Sequence, residues 1–101
     1  MKKRAFSKKQ IQTLRKILDD RPRDLVLLNV GVDTALRGSD LLNLKVHDVR
    51  TEWGEIRDNF YVKMKKTGAQ VLCELSQNSI SSLENWFKIT GKNSDDFIFH
   101  Q

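Results

Sequence analysis

The chain has one cysteine and one proline in 101 residues. The lone thiol, Cys73, excludes an internal disulfide and fits a reducing compartment, so a cytoplasmic location is expected. No stretch reaches the roughly 18 apolar residues that a membrane span requires. The basic start "MKKRAF" leads into "SKKQ" and not into an apolar segment, so it does not read as a signal peptide. There is no glycine-rich phosphate loop, no Cys/His spacing for a metal and no Ser–His–Asp set, so neither a metal nor a nucleotide cofactor is expected. Repeats, low-complexity tracts and internal linkers are absent as well, and residues 1–101 read as a single domain.

Charge of one sign is what the chain has in excess. Eighteen Lys and Arg face thirteen Asp and Glu, a net charge of +5, with an isoelectric point near 9.6. That balance points to a nucleic-acid partner, although basic proteins without one are common. With 39% hydrophobic residues, a chain of this length buries roughly 60–65% of its unfolded surface.

The pattern along the chain predicts an α+β fold: three helices, a small antiparallel sheet or hairpin, then a helix. "FSKKQIQTLRKIL" opens the first helix, with Ser7 as N-cap, Gln10 three residues on, and Phe6 placed to staple onto Ile11. Pro22 suits the first turn of a second helix running to about Leu36. That helix is apolar around most of its circumference and therefore central. Gly38 is expected to end it in the left-handed conformation, and Ser39 to cap a third helix that reaches Val49. "NFYVKMKK" and "QVLCEL" then alternate as strands around "KTGA", where Gly68 can supply a positive φ. Trp53 to Arg57 is a candidate third strand, and Cys73 a small core residue. Ser76 caps the last helix, Gly91 stops it, and "DDFIFH" is a short apolar tail.

Few side chains stand out for chemistry. Arg37 lies at the junction of the second and third helices. Spacing alone favours a solvated arginine paired with Asp40, but a guanidinium held at such a junction can grip a phosphate through two hydrogen bonds. The lysines of "KMKKTGAQV" sit at a hairpin tip, usually only a solvated turn, yet suited to reach a nucleic-acid backbone. A lysine there could also donate a proton to a leaving oxygen. "HDVR" matches H-x-x-R literally, but His47 beside Asp48 at a helix end reads as a surface or capping group. Tyr61 reads as strand packing, and His100 has no partner in the sequence.

These residues resemble a family. "TALRGSDLLNLKVHDV" is similar to the first active-site box of the tyrosine recombinases, the phage-integrase family, T-G-x-R-x-[SG]-[ED]-L-x-x-L-x-x-x-D-[IV]. Thr34, Arg37, Ser39, Asp40, Leu41, Leu44, Asp48 and Val49 stand in register, and Ala35 departs where glycine is usual. "RAFSKKQIQTLRKIL" resembles the start of the family's catalytic domain. "KKTGAQVLCELSQNSISSLENWF" resembles its hairpin and following helix, and "FIF" the strand end beyond.

The resemblance implies DNA strand exchange without metal or ATP. A tyrosine forms a 3′-phosphotyrosyl link, arginines stabilise charge on the phosphate, and a hairpin lysine protonates the departing 5′ oxygen. Carried onto this sequence, Arg37 is the first arginine and Lys66 the hairpin acid. Lys65 is the alternative, because turn register can shift by one residue. Arg37, Lys65 and Lys66 are the expected contacts to double-stranded DNA.

The family's second box and its nucleophilic tyrosine come after "FIF", so the chain is expected to be the front half of a catalytic domain and inactive alone. Two other readings remain. One is a winged helix-turn-helix whose third helix would enter the major groove. The other is an interaction protein that modulates a full recombinase. The second helix carries Leu25, Leu28, Val32, Ala35 and Leu36 on one face, Val26 and Val30 on another and Leu27 on a third, and the first and third helices can easily cover only one of them. An apolar patch on the order of several hundred Å² left on this helix would favour self-association or pairing with recombinase subunits.

Overall fold

In the computed structural model, which describes residues 7–99, five helices and one hairpin follow in the order α1 (Lys8–Ile17), α2 (Pro22–Thr34), α3 (Gly38–Leu42), α4 (Val46–Val49), β1 (Asn59–Lys63), β2 (Gln70–Glu74) and α5 (Gln77–Thr90). The fold is α+β, as the sequence pattern predicts. The Phe6 staple and His100 lie outside the described residues.

The local signals at both ends of the chain behave as expected. Ser7 and Gln10 close a reciprocal capping box, Ser7 Oγ accepting from the Gln10 N–H at 3.2 Å and Gln10 Oε1 accepting from the Ser7 N–H at 2.9 Å. Pro22 opens α2. Ser76 caps α5, and Gly91 ends it with φ 64°. In the hairpin, Phe60 pairs with Cys73 and Tyr61 with Leu72. Phe60 and Cys73 point into the core.

The core lies where α2 packs on α5 and the hairpin closes over them. Val26, Val30, Val46, Val49, Leu83, Ile98 and Phe99 are fully buried there. Polar ties fix the α2–α5 pair. Asp33 accepts from the Ser76 N–H at 2.7 Å and from the Ser76 and Ser79 hydroxyls, so a carboxylate sits at the positive start of α5. Asn29 accepts from Arg15 Nε at 2.7 Å and donates to Ser82 Oγ at 3.2 Å, linking three helices.

The middle of the chain departs from expectation. α2 ends at Thr34, and Ala35, not Gly38, takes the left-handed turn, with φ 55°. Arg37, not Ser39, is the N-cap of α3. The third helix is two pieces, of five and four residues. The cause is the C-terminal tail. Leu44 O accepts from the Ile98 N–H, while Val46 N–H and His47 N–H donate to Asp96 O and Ser94 O. With those groups committed to the tail, a continuous i→i−4 ladder cannot form. Asp48 then closes the start of α4 by accepting from the Lys45 N–H at 2.8 Å. Neither piece is long enough to serve as a recognition helix, which removes the basis of the winged helix-turn-helix reading. Trp53–Arg57 makes no strand; a single bridge joins Arg50 to Ile56 across a tight turn.

Candidate functional site

The segment after α2 is braced by Thr34. Its buried hydroxyl donates to Val30 O at 2.9 Å and accepts from the Leu36 N–H at 3.3 Å. Together with the left-handed Ala35, this turns the chain sharply, so that Arg37 enters α3 in an extended conformation with its side chain exposed. The Arg37 guanidinium has no hydrogen bond or ion pair to another described residue.

The expected Arg37–Asp40 pair is not formed. Asp40 is 5% exposed, and its Oδ1 accepts from the Lys65 N–H at 3.0 Å. The physical reason is helical phase. Asp40 lies four residues before the buried Leu44, on the inward side of α3, so its carboxylate meets the hairpin and not solvent. Its Oδ2 is buried with no hydrogen-bond partner among the described residues. This contact brings the tip of the hairpin against the start of α3, two segments 25 residues apart.

The tip itself is tightly closed. Met64 N–H donates to Ala69 O at 2.8 Å and Gly68 N–H to Met64 O at 2.7 Å. Gly68 supplies a φ of 74°, the positive value expected for it. Lys65 and Lys66 project from this turn, exposed and without ion-pair partners among the described residues. The turn that carries these two lysines is thus tied by its backbone to the buried Asp40, and the exposed Arg37 stands three residues before that carboxylate in the sequence. A cleft of about 220 Å³ runs alongside, lined by Asp40, Asn43, Asp48, Tyr61, Lys63 and Lys65 among others.

Tyr61 corrects one expectation. It is 66% exposed, because Phe60 and Val62 take the core side of the strand and the alternation turns Tyr61 outward. His47 behaves as a surface group at a helix end, its Nδ1 3.5 Å from Asp48 Oδ1. It lines a different groove from Asp40 and Lys65. No group of three or more His, Cys, Asp or Glu residues converges among the described residues, and no described helix is long and apolar enough to cross a membrane.

The tie from Asp40 to the hairpin is not among the contacts expected from the sequence. The signal was present: an acidic residue in phase with Leu44 on the apolar side of an amphipathic helix calls for a buried donor.

Comparison with known proteins gives three findings. No curated protein sequence matches. Among solved structures, a crystal structure of XerA recombinase superposes with a TM-score of 0.73 over 100% of this chain at 16% identity. At that identity the likeness speaks to the fold, and the chain spans 36% of that recombinase chain. The model of the phage integrase family matches residues 4–101. On that match over nearly its whole length, the chain belongs to the phage integrase family.

Proposed function

We propose that this chain is the DNA-contacting front part of a tyrosine-recombinase catalytic domain, and that Arg37, Lys65 and Lys66 hold the backbone phosphates of double-stranded DNA. The Asp40–Lys65 tie carries this reading. It holds two lysines against the helix start that presents Arg37, and leaves all three cations free for an anion. A guanidinium fork can take two phosphate oxygens at once, which suits Arg37 to charge building on a phosphate. An ammonium at the turn can give a proton to a departing oxygen, the role assigned to Lys66, with Lys65 as the alternative. DNA as partner agrees with a cytoplasmic location.

The only tyrosine, Tyr61, precedes the hairpin lysines, out of order for the family's nucleophile. It lines the same cleft as Lys65 from the outer face of β1, but because of that order we assign it no catalytic part. The chain alone is therefore expected to leave nicked recombination substrates uncut, with no covalent adduct. The half-covered side of α2 supports pairing with a second copy or with another recombinase subunit.

The test of the DNA reading is a salt titration of duplex binding. Engagement of about three to five phosphates gives a log K against log salt slope of roughly −3 to −4.5. Changing Lys65 and Lys66 together to alanine should flatten it. Absence of duplex binding at about 50 mM salt would overturn the reading.

A further inference from the structure

A second groove, which the proposed function does not use, shares no lining residue with the cleft at Asp40 and Lys65. It is lined by His47, Arg50, Thr51, Glu52, Trp53, Arg57 and Ser94 and measures about 440 Å³. Trp53 is 82% exposed, an unfavourable state for so large an apolar surface. Its setting is firm. Thr51 Oγ1 accepts from the Trp53 and Glu55 N–H groups, each at 3.2 Å. Thr51 N–H donates to Glu55 O at 2.8 Å, Gly54 N–H donates to Thr51 O at 3.0 Å, and Gly54 takes φ 90°. The turn thus presents the indole on a short, closed loop.

The surroundings of that ring are cationic. Arg50 is locked in place, its guanidinium 5.1 Å from the Phe87 ring centre and its Nη2 donating to Lys92 O at 3.2 Å. Arg57 is anchored through its backbone N–H, 2.7 Å from Val49 O, while its exposed guanidinium has no partner among the described residues. His47 adds an imidazole whose Nδ1 faces Asp48 Oδ1 at 3.5 Å, which leaves its Nε2 for a ligand, and Glu52 is the one acidic group on the lining. An exposed aromatic plane beside two guanidiniums and an imidazole fits a ligand with a flat π-face and a nearby anion. Unpaired nucleotides have both, and an acidic peptide has only the second.

We propose that this groove binds an unpaired nucleotide of a single strand, its base stacked on Trp53 and its phosphate held by Arg57 and His47. The site is separate from the duplex contact at Arg37 and does not depend on it.

The experiment is titration of the full chain with a short labelled oligothymidylate, read by anisotropy and by intrinsic fluorescence. Trp86, the other tryptophan, is buried and donates from Nε1 to Ile98 O, so quenching on binding reports Trp53. Saturable quenching is expected. Trp53→Ala should weaken single-strand binding roughly five- to hundred-fold, the usual worth of one stacked base. Trp53→Phe should keep most of the affinity. The double change of Lys65 and Lys66 to alanine should lower duplex affinity and leave single-strand affinity unchanged. Retention of single-strand affinity by Trp53→Ala would overturn the proposal, as would its loss on removing Lys65 and Lys66. Equal competition by a polyglutamate peptide would also overturn it, since the groove would then read charge without a base.

Discussion

At the scale of single residues, Asp40 decides whether Arg37 and the hairpin lysines form one site. Two effects oppose each other when it is changed to alanine. Removing a negative charge from the site favours phosphate binding on electrostatic grounds alone. Losing the acceptor for Lys65 N–H releases the hairpin tip, which disfavours it. A hydrogen bond to a charged group is worth about 1.5–3 kcal/mol, more than exposed, solvent-screened cations gain from a carboxylate with which they form no ion pair, so positioning should win. Asp40→Ala should lower stability by roughly 1 kcal/mol, since the unpartnered Oδ2 it also removes returns part of the loss. It should weaken duplex binding several-fold. Tighter binding by the variant, in a duplex titration at fixed salt, would show that charge and not position governs the site.

Cys73 offers a second test at this scale. Burial pushes its thiol up from the ordinary value of 9.0, because the interior disfavours the thiolate. The unfolded chain ionises first, so the stability contributed by the neutral thiol is complete below that value and is lost as pH rises through it. Denaturation midpoints taken from pH 7 to 10 should fall more steeply for the native chain than for Cys73→Ala. Parallel curves would mean that the thiol meets water freely in the folded state.

Among the secondary-structure elements, the α2–α3 junction is the place where sequence and conformation disagree. Ala35 sits at φ 55°, a conformation that costs an L-residue about 1 kcal/mol relative to glycine. The family's preference for glycine at this step of its first box thus has a backbone cause. Ala35→Gly should raise stability by about 0.5–1 kcal/mol in urea denaturation. Gly38 is a helical residue of α3, and a Cβ added there meets nothing within 4 Å. Gly38→Ala should be neutral or stabilising by a few tenths of a kcal/mol. The opposite pair of results would return the left-handed turn to Gly38.

What could be read in advance follows the range of the interaction. The Ser7–Gln10 box, Ser76, Gly91 and Gly68 act over three or four residues, and each does what its type dictates. The break between α3 and α4 is imposed by Ser94, Asp96 and Ile98, about fifty residues further on, and nothing in "SDLLNLKVHDV" announces it. Arg37 and the lysines were legible as candidates, but the Asp40 contact that unites them crosses 25 residues and needed the fold.

For the molecule as a whole, burial is uneven. α2 is wholly enclosed at Val26 and Val30, while Leu25 and Leu28 are half-buried and Val32 is 39% exposed. α1 buries none of its residues completely; Arg15 ties it to α2 through Asn29. Ile17 at the end of α1 and Ile89 on α5 are largely exposed too. Apolar side chains left open on several helices are costly in a free monomer and favour association. The uncovered side of α2 can thus be closed by a second copy of the chain. Sedimentation over about 1–300 μM should show a mass that rises with concentration. Val32→Glu places a charge on that side without entering the core, since residue 32 already meets water. It should shift the equilibrium toward monomer and leave the denaturation midpoint of the monomer nearly unchanged. If the native chain stays monomeric throughout and binds no hydrophobic dye, the half-covered helix is stable as it stands and association belongs to another surface.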